Sequence, residues 1–216
     1  MDLLIVKVKG KFAHFRKFYT NSSSLSYSVP PRTVLSGMLG AILGYERDSY
    51  YDIFSKEKLN IAVKKDKSIR KIMQTLNYIK ATSPKNILQP AEHTQIPFEI
   101  LTGDNDVEYT VYINHTDKRI LDELEFRIKS GRYVFAPYLG AAPFNCTFEF
   151  VKRIEGMPER SESNVRISTL VNAEYIAEGS IDIKEDNIRL LKERMPREFL
   201  KERVIGKTAS YIYDEN

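Results

Sequence analysis

Gly10-Lys-Phe-Ala-His-Phe-Arg-Lys17, a polar loop, Pro30-Pro31-Arg32-Thr33 and then Val34-Leu-Ser-Gly-Met-Leu-Gly-Ala-Ile-Leu-Gly44 form the stretch on which the fold turns. Val34, Leu35, Met38, Leu39, Ile42 and Leu43 recur at helical spacing and predict one continuous apolar stripe. Pro31 suits the first helical turn, where its missing N–H would be unpaired anyway, and Gly44 suits a C-terminal cap. Gly37 and Gly40 fall inside the helix, where each costs about 1 kcal/mol relative to Ala. That cost implies a neighbour too close for a β-carbon, either a sheet or a phosphate backbone.

Outward from this stretch, Leu3–Val8 reads as a central strand. Tyr45–Phe54 is read as a short second helix, Leu59–Val63 as a strand and Arg70–Lys80 as a strand leading outward. Ala81–Gln95, with Pro84 and Pro90, reads as a loop or the tip of a projecting arm. Ile96–Thr102 and Val107–Ile113 flank Gly103-Asp-Asn-Asp106, a hairpin signal. Asp117–Lys129 is amphipathic on Ile120, Leu121, Leu124 and Ile128, with Thr116 as cap and Gly131 as stop. Tyr133–Ala136 and Thr147–Val151 are expected strands. Beyond Gly156 the chain becomes more polar, with expected strands at Val165–Val171, Tyr175–Ile183 and Arg203–Tyr213 and a helix or turn at Ile188–Met195. The outline predicts an α+β sandwich of the ferredoxin or RRM kind over 1–150, with a small β-rich region over 151–216.

The net charge is +4, yet it is unevenly distributed. Residues 1–40 hold six basic side chains against one acidic, and 56–85 hold nine against two; 91–126 hold two against nine. One basic and one acidic region are therefore expected, the former able to attract phosphate. Thirteen Tyr and eleven Phe without Trp leave aromatic surface for stacking on bases. Cys146 is the single cysteine, so an intrachain disulfide is excluded and a cytoplasmic setting is expected. The opening residues read as a strand rather than a signal peptide, and no apolar run nears the ~20 residues of a bilayer span. Three scattered histidines give no zinc spacing, and no metal or cofactor is expected.

No phosphate-binding loop, dinucleotide fingerprint or serine-nucleophile elbow is present. Metal-free RNA cleavage would need a base, an acid and a cation at the phosphate. His14, His93 or His115 could be that base, with Lys11, Arg16 or Lys118 as the cation and a tyrosine as acid; His115, His14 and Lys11 are the set favoured for an enzyme. Each histidine alone is more often structural.

Gly10-Lys-Phe-Ala-His-Phe-Arg16, Tyr27-x-x-Pro-Pro-Arg-Thr33 and Leu35-x-Gly-Met-Leu-Gly-Ala-Ile-Leu-Gly44 resemble the N-terminal signature of the CRISPR-associated Cas-five family of RAMP proteins, most closely the subtype of type I-B-like Cascade complexes. Tyr133-x-x-Ala-Pro-Tyr138-Leu-Gly140 is similar to the family's glycine-bearing turn, which would place Tyr138 and Gly140 at the RNA. The resemblance covers 1–150 well and the remainder poorly. It implies a ferredoxin-like domain with a β-hairpin thumb, within about 70–113. It implies a subunit that caps the 5′ handle of CRISPR RNA (crRNA) and joins the backbone (Cas-seven family) and large (Cas-eight family) subunits, touching target DNA only indirectly. Some relatives cut precursor RNA with an adjacent Lys-His pair. Here the nearest position reads Asn114-His115, so a non-catalytic binder is expected, with a processing endoribonuclease and an RNA-independent interaction module as alternatives. On this reading Lys11, His14, Arg16, Lys17 and Arg32 contact phosphates, and Thr33 and Ser36 donate hydroxyls beside a helix N-terminus. Phe15 and Tyr27 stack on bases, and Lys85, Gln89, His93 and Gln95 reach RNA from the thumb.

Overall fold

The computed structural model describes residues 1–158, 166–176, 181 and 188–215. In chain order its elements are β1 (Leu3–Ala13), β2 (Phe15–Arg16), β3 (Ser26–Tyr27), α1 (Arg32–Leu43), β4 (Leu59–Lys65), β5 (Arg70–Ile79), α2 (Pro84–Leu88), β6 (His93–His115), α3 (Lys118–Ser130), β7 (Thr147–Ile154), β8 (Val171–Asn172), β9 (Leu190–Phe199) and β10 (Ile205–Asp214). The main sheet runs β4-β6-β1-β7 with antiparallel neighbours throughout, and β5 pairs with the first half of β6. Leu4, Val6 and Val8 alternate toward the helices, where they meet Leu35, Leu39 and Ile42 of α1 and Leu121 and Leu124 of α3 in one core. Among the described residues no helix is long and apolar enough to cross a membrane.

The stripe of α1 is buried as its spacing predicts, and Gly44 caps the helix at φ 85°. Pro31 is the N-cap rather than a first-turn residue. What lies against Gly37 and Gly40 is Tyr50, its hydroxyl and its ring respectively 3.1 Å from where a β-carbon would stand. Neither a sheet nor a phosphate is needed to explain them. Tyr50 belongs to a run of turns, so the helix expected at Tyr45–Phe54 is absent; side-chain packing on α1 organises that segment instead. α3 is capped by Asp117, whose Oδ1 accepts from the Arg119 amide at 3.0 Å, and not by Thr116.

Gly103–Asp106 is not a hairpin turn. β6 runs through it as one strand of 23 residues. Gly10 pairs with Val107 and Phe12 with Thr102, so residues 103–106 bulge opposite Lys11 alone. A bulge tolerates the same Gly, Asp and Asn residues as a turn. Beyond it β6 exchanges partners, pairing with β4 on one side and β5 on the other. Tyr133–Ala136 is not a strand either: the amides of Val134 and Phe135 donate to the carbonyls of Ile42 and Ala41, closing the end of α1.

In place of the helix or turn expected at Ile188–Met195 the chain forms β9 from Leu190 to Phe199, and Pro196 is tolerated because β9 is an edge strand of the sheet β8-β10-β9. β10 matches the last expected strand. Val165 and most of Tyr175–Ile183 lie outside the described residues, and among the described residues of 166–171 only Val171 joins a strand. Met195 and Tyr213 enter the same core as Phe15 and Tyr27.

Candidate nucleic-acid interface

β5 and β6 leave the main sheet together as a two-stranded ribbon, paired from Arg70–Thr102 out to Ile79–His93 and closed by α2. Nearly every residue of β5 is exposed, including Ile72, Met73, Tyr78 and Ile79, and Ile87 and Leu88 stand bare at the tip. Lys85, Gln89, His93 and Gln95 are all exposed on this ribbon. His93 and Gln95 pair with Ile79 and Asn77, so these four share one face, while Lys85 and Gln89 lie at the far end. The structure thus puts all four expected arm residues on the ribbon but sets only His93 and Gln95 on one face.

The root of the ribbon is braced from two sides. The Ser24 amide donates to Pro97, and the Glu99 amide donates to Ser24, at 2.8 and 2.9 Å. On the other side the loop bearing Tyr138 and Gly140 folds onto His14, with the His14 amide donating to Leu139 at 3.0 Å. Gly140 has φ 81°, and a β-carbon there would lie 2.0 Å from the His14 carbonyl oxygen. Its role is to let two backbones touch. Tyr138 is exposed beside it.

Several expected RNA contacts are structural. Phe15 and Tyr27 are fully buried, and the Tyr27 hydroxyl donates to the Arg194 carbonyl at 2.6 Å, so neither ring can receive a base. Lys17 is paired with Glu193; burial opposes its charge, but the carboxylate holds the ammonium pKa above its usual value. Arg32 donates to the carbonyls of Phe54, Leu59 and Arg197 at 2.8, 2.9 and 3.3 Å, and burial lowers its pKa. Thr33 and Ser36 are buried with the start of α1. The types of these residues suit phosphate and bases; Lys17, Tyr27 and Arg32 are instead engaged by Glu193, Arg194 and Arg197 of the distant β9.

The histidines follow suit. His14 lies 2.7 Å from the Glu99 carbonyl through Nδ1 and 3.0 Å from the Ser24 hydroxyl through Nε2, and its ring stacks on Phe98 at 3.9 Å. A carbonyl only accepts, so Nδ1 carries the proton and Nε2 accepts. Burial lowers its pKa and keeps it neutral. His115 accepts from the Asp117 amide at Nδ1 and donates from Nε2 to the Ile53 carbonyl, both at 2.9 Å. Both rings use both nitrogens internally, so neither presents a free nitrogen to an incoming RNA. Cys146 is half-buried, and burial pushes its thiol up to about 12.

The expected separation of charge dissolves because β6 brings its acidic residues against basic ones of β1, β5 and the β4–β5 connection. Lys80 meets Glu92 at 2.6 Å, Lys71 meets Glu99 at 3.9 Å, and Lys7 and Lys67 converge on Glu108 at 2.5 and 2.9 Å. Among the described residues Lys11, Arg16 and Lys85 form no ion pair and remain available. Phe12, next to Lys11 and exposed at 42%, packs its ring on half-buried Phe144, and sequence reading missed both.

The sequence matches the family profile described as CRISPR-associated protein (Cas_Cas5) over residues 3–205. Among curated proteins there is no significant match. Similar solved structures include a chain of a CRISPR RNA-guided surveillance complex, at 16% identity and TM-score 0.55, covering 98% of this chain and 89% of that one. A CRISPR protein from Archaeoglobus fulgidus matches at 16% identity and TM-score 0.53, covering 99% and 86%. A chain of the type III-B Cmr-beta complex bound to cognate target RNA and AMPPnP matches at 12% identity and TM-score 0.53, covering 98% and 84%. At these identities the likeness is one of fold, whereas the profile spans almost the whole sequence. The chain belongs to the CRISPR-associated Cas5 family.

Proposed function

We propose that this chain is a non-catalytic subunit of a CRISPR Cascade-type interference complex, working in the cytoplasm. It binds and caps the 5′ handle of crRNA and joins the backbone and large subunits. Residues 1–150 then form the ferredoxin-like RAMP domain: β1, α1, β4, β6, α3 and β7 follow its strand–helix–strand–strand–helix–strand order. The β5–β6 ribbon is the thumb, and residues 151–216 are the smaller C-terminal β region. The type I-B subtype rests on the N-terminal motif alone.

The observation that carries the reading is the ribbon itself. It buries little of its own apolar surface, and exposed surface of that kind marks an interaction site. It carries Lys85, His93 and Gln95 outward, and Lys11, Arg16 and Tyr138 lie accessible in the body. Exposed cations and aromatic rings together suit single-stranded RNA. Cleavage is the weaker reading, because His93 is the only histidine of the three left exposed.

The test is purification of the complex with its RNA from cells making either the native chain or Lys11→Ala/Lys85→Ala. The variant complex should lose protection of the RNA 5′ end against exonuclease. Equal protection without this polypeptide would overturn the reading. Cutting of repeat RNA by the purified chain in EDTA, blocked by a 2′-deoxy at the junction, would favour the enzyme.

A further inference from the structure

We propose that Phe12 and Phe144 form a shelf on which one unpaired nucleobase of single-stranded RNA stacks, with Lys11 and Arg70 holding the phosphates beside it. This deepens the RNA-binding reading above and rests on it. Phe12 stands just past the point where β6 bulges away from β1 and pairs with Thr102, which pairs in turn with Arg70. Directly opposed residues share a face, so Phe12, Thr102 and Arg70 form one row across three strands, with Phe12 and Arg70 about 10 Å apart at the backbone.

The Phe12 ring is supported from one side only. Its centroid lies 6.0 Å from that of Phe144 at 50°, Phe144 lies 6.4 Å from Phe98 at 59°, and Phe98 stacks on His14. The four rings run from a buried, hydrogen-bonded imidazole out to solvent. Gly10 makes this possible: a β-carbon there would lie 2.7 Å from Leu139 Cδ1 and 2.8 Å from the Asn145 carbonyl, so only glycine lets the loop bring Phe144 against the strand.

The charges beside the shelf select the occupant. Lys11 has no ion pair among the described residues. Arg70 meets Asp104 at 3.2 Å with both side chains largely exposed and makes a long 3.4 Å bond to the Gly103 carbonyl, contacts that a phosphate displaces at little cost. An apolar peptide would use the ring but not the two cations. A nucleotide uses both, through a base with a π-face and a phosphate on either side.

The test uses the full chain and a fluorescein-labelled eight-nucleotide single-stranded RNA of random sequence, titrated by anisotropy over a range of salt. Phe12→Leu keeps an apolar side chain but removes the π-face; it should bind about tenfold more weakly with an unchanged salt slope. Phe12→Trp should bind at least as tightly as the native chain. Lys11→Ala should lower the salt slope by about one. Native affinity in Phe12→Leu, or an equal loss in Phe12→Trp, overturns the shelf while leaving RNA binding intact. A native chain that binds none of this RNA overturns the shelf together with the reading beneath it.

Discussion

Arg32 sits in the motif that first suggests phosphate binding, yet its guanidinium is spent on three backbone carbonyls from two parts of the chain. Arg32→Ala should therefore destabilise the protein by about 3 kcal/mol in urea unfolding, since it leaves buried acceptors unpaired. Arg16→Ala should leave the urea midpoint unchanged and lower RNA affinity and its salt slope. Glu108 makes a different prediction. Hydrogen bonds from Lys7 and then Lys67 hold its carboxyl at about 2, against a usual 4.5. A depressed acid stabilises the fold above its unfolded pKa, so this contribution is complete above about pH 4.5 and is lost as pH falls toward 2. It amounts to at most about 3 kcal/mol, reduced by solvent at the two half-exposed lysines. Unfolding free energy measured across that window should fall less steeply in Glu108→Gln. Gly140→Ala combines a left-handed backbone with a clash against His14 and should cost several kcal/mol; Gly156→Ala, with open space around it, should cost about 1 kcal/mol.

The ribbon is the element whose loss the fold should tolerate. Replacing residues 77–95 by Asn-Gly, which joins Leu76 to its partner Ile96 through a two-residue turn, removes almost only exposed side chains. The urea midpoint should hold while RNA affinity falls at least tenfold by anisotropy. Local periodicity made the body readable: Leu3–Val8, the α1 stripe and the α3 face all announce themselves within a dozen residues. Signals with two structural meanings were misread. Gly103-Asp-Asn-Asp106 suits a bulge as well as a turn, and Pro196 suits an edge strand as well as a helix stop. At the site, exposure was legible on the arm because nothing packs against it. It was not legible for Tyr27 or Arg32, because the strand that covers them lies 167 and 165 residues away.

At the scale of the whole molecule, β9 and β10 complete the core instead of hanging from it. Glu193 accepts from Lys17 and from the Tyr213 hydroxyl, tying the N-terminal motif to both strands. Glu193→Ala leaves Lys17 buried without its counter-charge and should cost about 3–5 kcal/mol in a single cooperative unfolding transition. Two separate transitions would show that the C-terminal sheet is an independent unit. The position of β1 has a further cost, incurred during synthesis. This strand lies between β6 and β7, so its apolar residues leave the ribosome long before either neighbour exists. At ordinary translation rates the wait for residue 93 lasts about 5–20 s. Throughout that interval Leu3–Val8 is a sticky nascent segment, which makes chaperone capture near the start of the chain a built-in consequence of strand order.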